Sequence, residues 1–183
     1  MGKGLHKLIE QEKATILKQW FDLAIQAYDP DTAKFLKNQK DQFANPVGNN
    51  TLKGLQGLLD LLCFDLDAQK AFIHLDPIIR IRAVQAFTPS QATAFVLSLK
   101  TVLRETLGKK LQDSKIDAEL MDFESKIDQL CLMAFDVYMQ CKEKIFQISA
   151  NETRNRTFRA FERAGLIAEE SEDRIHLKKK TSP

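Results

Sequence analysis

Apolar residues recur at helical spacing along most of the chain, with polar residues between them. Near its start the apolar positions lie three or four residues apart and predict a helix of about six turns. Asp29-Pro30 predicts the end of that helix and the start of a shorter one, because aspartate accepts from free N–H groups and proline at the next position needs no partner. The apolar positions of the first helix are Leu5, Leu8, Ile9, Ile16, Trp20, Leu23, Ala24 and Ala27.

A leucine-rich helix is predicted after the corner formed by residues 45–48, with Asn50 as its N-cap. Gly54 and Gly57 lie inside this helix and lower its intrinsic stability, which indicates that a neighbouring backbone packs closely there. The leucines that define its inner face are Leu52, Leu55, Leu58, Leu59 and Leu62.

Three capping signals follow. Asp67 begins a short helix through Ile73, and Asp76-Pro77 predicts a separate helix start. Thr88-Pro89-Ser90-Gln91 is a capping box, in which the Thr88 hydroxyl and the Gln91 side chain bond each other's backbone N–H. The helix after it is predicted to stop near Gly108.

The last helix carries the strongest periodic signal. Its apolar residues alternate in steps of four and three through nearly four heptads, which predicts a core helix from Ile116 to Tyr138. Beyond it, a narrower apolar line through Ile145 and Ile148 predicts contact with another chain. The seam consists of Ile116, Leu120, Phe123, Ile127, Leu130, Ala134, Val137 and Cys141. Further apolar residues are expected to broaden the buried face, namely Met121, Cys131, Leu132, Met133, Phe135, Tyr138 and Met139.

The C-terminal region turns basic between residues 152 and 163, where arginines alternate with Phe158 and Phe161, and Gly165 predicts the helix end. Residues 166–168 and 174–177 flank a polar turn and fit a small β-hairpin. A helix, a glycine and a hairpin resemble the tail of a winged helix. Acidic residues balance the basic ones there, so nucleic-acid binding is not expected.

Composition narrows the class of protein. The 183 residues carry 27 basic and 25 acidic side chains, so no overall field attracts nucleic acid or an anionic membrane. The start has no apolar signal-peptide region, and no segment is apolar enough to span a bilayer, so we expect a cytoplasmic protein. Cys63, Cys131 and Cys141 form no CxxC pair and fit buried reduced thiols better than disulfides or a zinc site.

Two stretches carry a family resemblance, DQFANPVG at residues 41–48 and IIRIRAVQAFTPSQA at residues 78–92. They resemble the N-terminal domain of the RsbR-type co-antagonists of the kinase RsbT, the family named after RsbRD, over roughly residues 8–148. The resemblance implies an all-α, globin-like multi-helix bundle without haem and a sensory or regulatory role in stress or redox signalling. We therefore expect such a domain at residues 1–148 and a helix extension with a tail at residues 149–183.

In RsbR-type proteins this domain precedes an output domain of about a hundred residues, whereas only about 35 residues follow Ile148 here. The resemblance therefore predicts a stand-alone module, whose message passes to a separate output, kinase or redox protein through the C-terminal helix.

A globin-like fold makes haem the first cofactor to consider, and haem needs an axial histidine on a helix that lines the pocket. His74 is the histidine placed for that role. Because the family resembled lacks haem, and a histidine at the end of a short helix is typical of the surface, no cofactor is predicted.

Arg80 and Arg82 are the other ligand-binding candidates, since guanidinium groups on a mostly apolar helix could hold a carboxylate or phosphate. We favour the alternative that they form ion pairs with acidic residues of neighbouring helices. An aromatic set could line a pocket for an apolar effector, although core packing explains it equally: Trp20, Phe35, Phe43, Phe72, Phe87, Phe95 and Phe123.

The motifs contain no paired carboxylates, nucleophile elbow, phosphate loop or metal cluster, so we predict neither an enzyme nor a metal site. Our first hypothesis is a regulatory domain that acts by protein–protein contact, with a homodimer as one form of it. The alternatives are a small-molecule or haem binder that uses the globin-like pocket, and a nucleic-acid regulator that uses the basic helix. The predicted partner or dimer interface is Cys141, Ile145, Ile148, Phe158 and Phe161.

Overall fold

The computed structural model describes residues 3–64, 66–85, 87–112 and 114–166, and every regular element in this part of the chain is helical. The α-helices are α1 (Lys3–Ile25), α2 (Pro30–Asn38), α3 (Pro46–Cys63), α4 (Ala68–Val84), α5 (Pro89–Leu107) and α6 (Ser114–Arg163). A 3₁₀ helix, Gly108–Gln112, joins α5 to α6. The predicted all-α fold with a long C-terminal helix is confirmed. The predicted hairpin lies outside the described residues, apart from Leu166.

The chain divides into two compact units, Met1–Glu143 and Lys144–Pro183. Every buried side chain of the described residues belongs to the first unit. No helix in the described ranges is long and apolar enough to cross a membrane.

In the first unit α1 runs antiparallel to α5. The Trp20 indole N–H donates to the Phe95 carbonyl at 2.6 Å, and Lys110 just beyond α5 pairs with Glu12 at 2.8 Å. The core that these helices enclose is apolar, and each fully buried large aliphatic side chain stabilises it by about 1.5–3 kcal/mol. Its largest members include Leu5, Ile9, Ile16, Trp20, Leu55, Leu58, Leu59, Leu62, Leu75, Ile78 and Ile79.

Surface ion pairs show how α3 and α6 lie against their neighbours. Lys13 of α1 meets Asp60 of α3 at 2.5 Å. Lys100 pairs with Asp128 at 2.6 Å, and one turn further along α5 Arg104 pairs with Glu124, so α5 and α6 are antiparallel. Exposed pairs of this kind stabilise little, and their value here is to show which faces meet.

Most of the predicted helix boundaries are confirmed. Asp29 accepts from the Thr32 N–H at 3.0 Å, and Asp67 accepts from the Lys70 N–H at 2.8 Å. Thr88 forms the complete capping box. Gly108 and Gly165 have φ angles of +43° and +66°, the left-handed region in which a glycine ends a helix at the least cost.

The predicted cap of α3 is wrong. The helix begins at Pro46, and Asn45 rather than Asn50 is its N-cap, because the Asn45 side chain accepts from the Gly48 N–H at 2.8 Å. Proline at the first helical position fixes the start there.

The predicted helix start at Asp76-Pro77 is also wrong, since α4 continues through Pro77 without interruption. The Asp76 carboxylate binds the Arg80 guanidinium instead of capping a helix. Residues on both sides of Pro77 are fully or almost fully buried, among them Leu75 and Ile79, so tertiary packing outweighs the local signal.

The predicted close approach at the α3 glycines is confirmed. A Cβ atom on Gly54 would lie 2.8 Å from the His74 carbonyl oxygen, and one on Gly57 would collide with the His74 imidazole ring. Glycine at these positions therefore lets α3 and α4 pack at short range.

The seam of α6 is buried as predicted from Leu120 to Val137, and Tyr138 is 3% exposed. The further apolar residues do not all broaden that face. At 100° per residue Leu132, Phe135 and Met139 point to the other side of the helix. Four of the set are exposed: Met121, Leu132, Phe135 and Met139.

Candidate functional site

Arg82 on α4 is completely buried and donates hydrogen bonds to backbone carbonyls of α1 and α5. Its Nη2 donates to the Ala24 carbonyl at 2.8 Å, and Nη1 donates to the Ala92 carbonyl at 3.2 Å. Among the described residues no carboxylate lies within ion-pair distance of Arg82, and its buried Nε has no partner. The side chain is therefore a buried cation at the last turn of α1, where the carbonyls of the helix end carry partial negative charge.

Three aromatic rings surround the Arg82 guanidinium. Its central carbon lies 4.7 Å from the centre of the Phe95 ring and 5.7 Å from those of Tyr28 and Phe87. The faces of aromatic rings attract cations, so these contacts replace part of the hydration that burial removes. We call Arg82, Tyr28, Phe87 and Phe95 the arginine cluster.

Burial also shifts the proton affinities within the arginine cluster. It lowers the pKa of Arg82 below its ordinary value of 12.5, an effect that Tyr28 opposes. Burial raises the pKa of Tyr28 above its ordinary value of 10.0, against the influence of Arg82. At neutral pH the cluster therefore holds a charged guanidinium and a neutral phenol.

Tyr138 joins α6 to the arginine cluster. Its hydroxyl donates to the Phe87 carbonyl at 2.6 Å, in the connection between α4 and α5. The Phe87 ring in turn contacts the Tyr28 ring edge-on at 5.0 Å, in the connection between α1 and α2. These two contacts link α6 to both connections.

The predicted ligand residues do not converge on one site. Arg80 is exposed and forms a bidentate pair with Asp76 of its own helix at 2.7–3.1 Å. The interpretation of ion pairs with neighbouring helices is thus wrong for Arg80, which pairs within α4, and for Arg82, which binds carbonyls. His74 is half-buried with its ring against Gly57 of α3.

A cavity of about 490 Å³ lies between α1, α2 and α3, a size within the range of small-molecule sites. Its floor is apolar and includes Leu17, Phe21 and Leu36. None of the seven aromatic residues predicted to line a pocket borders this cavity. Its lining consists of Ala14, Leu17, Lys18, Phe21, Asp22, Leu36, Lys37, Gln39, Lys40, Asn45, Gly48, Asn49 and Leu52.

Positive charge prevails at the cavity's edge. Lys37 pairs with Asp22 at 2.8 Å. Lys18 and Lys40 have no carboxylate of the described chain within ion-pair distance. Two ammonium groups therefore border an apolar floor without a charge partner.

Asn45 fixes one wall of this cavity. Its amide nitrogen donates to the Leu36 and Gln39 carbonyls, both at 2.9 Å, while its amide oxygen caps α3. One side chain, 2% exposed, thereby ties the end of α2 to the start of α3. The wall is held by satisfied buried hydrogen bonds.

The predicted interface residues all lie on α6 but differ in exposure. Cys141 and Ile145 are half-buried, whereas Ile148, Phe158 and Phe161 are 47–59% exposed. At about 100° per residue Phe161 is rotated about 160° from Ile145, so the five do not form one face of a straight helix. The described side chains of residues 149–166 are all exposed.

Cys63, Cys131 and Cys141 are half-buried and form no disulfide among the described residues. Burial raises the pKa of Cys63 from 9.0 to about 11, and it raises the pKa of Cys131 as well. In the described part of the chain no group of three or more histidine, cysteine or acidic side chains is placed to hold a metal ion.

Sequence reasoning missed the functional candidates that depend on tertiary contact. Tyr28 and Tyr138 gave no local signal, because their partners lie far away along the chain. Lys18 and Lys40 read as ordinary exposed residues. The sequence did single out the Asn45 corner, through the resemblance, and Arg82, Phe87 and Phe95 as candidates, but not the contacts that bring them together.

One family model matches the chain over residues 14–153, more than half of its 183 residues, and its description is RsbT co-antagonist protein rsbRD N-terminal domain. Comparison with curated proteins and with solved structures gave no match. The matched range contains the arginine cluster, the whole cavity lining and α6 as far as Thr153. The chain therefore belongs to the RsbRD N-terminal domain family, whose members are regulatory domains of stress signalling.

Proposed function

We propose that this protein is a signal-transduction domain that acts by direct contact with a separate protein through α6. The observation that carries the proposal is the continuation of α6 as a regular helix to Arg163, with every described side chain beyond Ile148 exposed. An isolated exposed helix gains little stability in water, so a partner surface is the natural use of this segment.

The side chains of this segment suit protein recognition. Phe158 and Phe161 are 54% and 47% exposed and lie about 60° apart around the helix axis. Arg154 lies between them on the same side. Aromatic and arginine residues dominate the energetic centres of protein interfaces, which supports a partner site here.

Site-specific cross-linking tests the proposal. A photoreactive phenylalanine analogue at position 158 should trap one discrete protein in the cells that make this domain. The variant F158E/F161E should abolish recovery of that protein by the tagged full chain, while S149E/A160E should preserve it. Ser149 and Ala160 are exposed and lie about 160–180° from Phe158 around the axis. Equal recovery with both variants, or no discrete product, would rule out this use of α6.

A homodimer is a second form of the same proposal, and a separate surface favours it. Leu132, Phe135 and Met139 form an exposed apolar stripe on the outer side of α6. Leu97 of α5 is also exposed and lies one turn before Lys100, which pairs with Asp128 of α6.

Light scattering measures this directly. We expect a dimer that F135E converts to a monomer and F72E leaves intact, because Phe135 and Phe72 are similarly exposed on different helices. A wild-type monomer at micromolar concentration would contradict the homodimer while leaving the contact with a separate protein open to the cross-linking test.

Stress rather than thiol-redox sensing is the input we propose. Cysteines that sense oxidants have low pKa values, because the thiolate is the reactive form. Burial raises the pKa of both Cys63 and Cys131, which makes these thiols slow to oxidise at neutral pH.

A further inference from the structure

We propose that the cavity between α1, α2 and α3 binds a single-chain amphiphile with an anionic head, of the fatty-acid class. The inference goes beyond the contact role of α6, and its binding test does not depend on any protein partner. It rests on the size, the lining and the charge of the cavity.

The size suits one extended acyl chain. About 490 Å³ lies within the 300–1,000 Å³ range of small-molecule sites. The floor offers Leu17, Phe21 and Leu36 from two helices, and Leu52 of α3 forms a third side that is 42% exposed. Each methylene transferred onto such a surface gains binding free energy, so chain length should control affinity.

The charge selects the head group. Lys18 and Lys40 border the apolar floor without a described carboxylate partner, while the one acidic residue in the lining, Asp22, is already paired with Lys37. A carboxylate at the rim would meet two unpaired ammonium groups, whereas a cationic head would be repelled.

The wall that faces the ligand is formed in advance. The Asn45 amide nitrogen donates to the Leu36 and Gln39 carbonyls, and its amide oxygen accepts from the Gly48 N–H. A side chain at Gly48 would collide with that Asn45 amide. A pre-organised wall costs less entropy on binding than one that must be ordered.

Calorimetry with dodecanoate on the full chain, below its micellar concentration, tests the site. We expect saturable 1:1 binding that tightens with tetradecanoate and is absent with dodecyltrimethylammonium. K18Q/K40Q should weaken binding about tenfold, since each exposed charge contact is worth a few-fold in affinity. The matched variant K34Q/K53Q changes exposed lysines of α2 and α3 outside the lining and should bind like wild type.

A second pair of variants tests the apolar contact with the ligand. L52E should abolish binding and L97E should not, because both leucines are 42% exposed but only Leu52 lines the cavity. Circular dichroism confirms that each variant is folded. Dodecyl phosphate distinguishes a requirement for carboxylate from one for any anion, and either preference over the cationic amphiphile supports the site.

Amide shifts in NMR spectra locate the ligand. Dodecanoate should perturb Phe21, Gly48 and Leu52 before residues of α6. Equal affinity for the cationic amphiphile, equal loss in L52E and L97E, or the absence of saturable binding would overturn the proposal.

Discussion

Arg82 is a buried cation that bonds to α1 and α5 and packs against three aromatic rings. Replacing it with methionine removes the cation and leaves the Ala24 carbonyl without its buried donor, which should destabilise the fold by about 1–3 kcal/mol. R82K should cost at least as much, because a buried ammonium retains the desolvation penalty and loses the planar contact with the rings. Urea unfolding measures both.

Arg80 provides the control for Arg82. It is exposed and paired within one helix, so R80M should change stability by less than about 0.5 kcal/mol. A lysine variant of Arg82 as stable as wild type would contradict the role given to the guanidinium.

Cys63 yields a prediction about pH. Its pKa of about 11 means that the reactive thiolate is scarce at neutral pH. In a C131S/C141S background the alkylation rate of Cys63 by iodoacetamide should still rise about tenfold per pH unit up to pH 10. In urea the same rate should level off near the ordinary thiol pKa of 9.0. A plateau at or below pH 9 in the folded protein would refute the burial argument.

In α4, tertiary burial outweighs the local helix-breaking effect of a proline. Pro77 has no N–H for the Ile73 carbonyl and crowds the preceding turn, yet the helix continues because its inner face is buried. P77A restores the missing donor and should stabilise the protein by about 1–3 kcal/mol.

The matched control is P89A. Pro89 is at the start of α5, where the N–H needs no helical partner, so the change in unfolding free energy should be close to zero. Equal effects of the two substitutions in thermal or urea unfolding would mean that Pro77 carries no strain within α4.

The features that were predicted correctly depend on residues that lie close together in the sequence. Caps at Asp29, Asp67 and Thr88 were predictable because donor and acceptor lie three residues apart. The apolar seam of α6 was predictable for the same reason, since helical spacing alone defines its face.

The arginine cluster was not predictable, because Arg82 and the Ala24 carbonyl are 58 residues apart. The cavity was not predicted for the same reason, because Lys18 of α1 and Lys40 after α2 come to border one cavity only when the chain folds. Asp76-Pro77 failed for the opposite reason, because a strong local signal was outweighed by burial.

At the scale of the whole first unit, the cavity and the arginine cluster share the connection between α1 and α2. Leu36 and Lys37 of α2 line the cavity, and Tyr28 just before α2 contacts Arg82 and Phe87. Phe87 accepts the hydrogen bond from Tyr138 of α6. A ligand that moves α2 would therefore act on α6 through a continuous set of contacts, which is the physical requirement for coupling two sites.

The extent of the folding unit gives the last prediction. Because every described side chain from Ser149 to Leu166 is exposed, a chain ending at Ile148 should unfold cooperatively with a free energy within about 1 kcal/mol of the full chain. A chain ending at Val137 loses the buried ring of Tyr138 and its bond to Phe87, and should be less stable by about 3 kcal/mol or more.

Urea unfolding of the three chains, with dodecanoate calorimetry on each, then separates folding from signalling. We expect the tagged chain ending at Ile148 to keep its stability and its ligand but to fail to recover the protein that the full chain cross-links through position 158. A large loss of stability in that chain would instead make the exposed end of α6 part of the fold, and would remove the argument for its use as a partner surface.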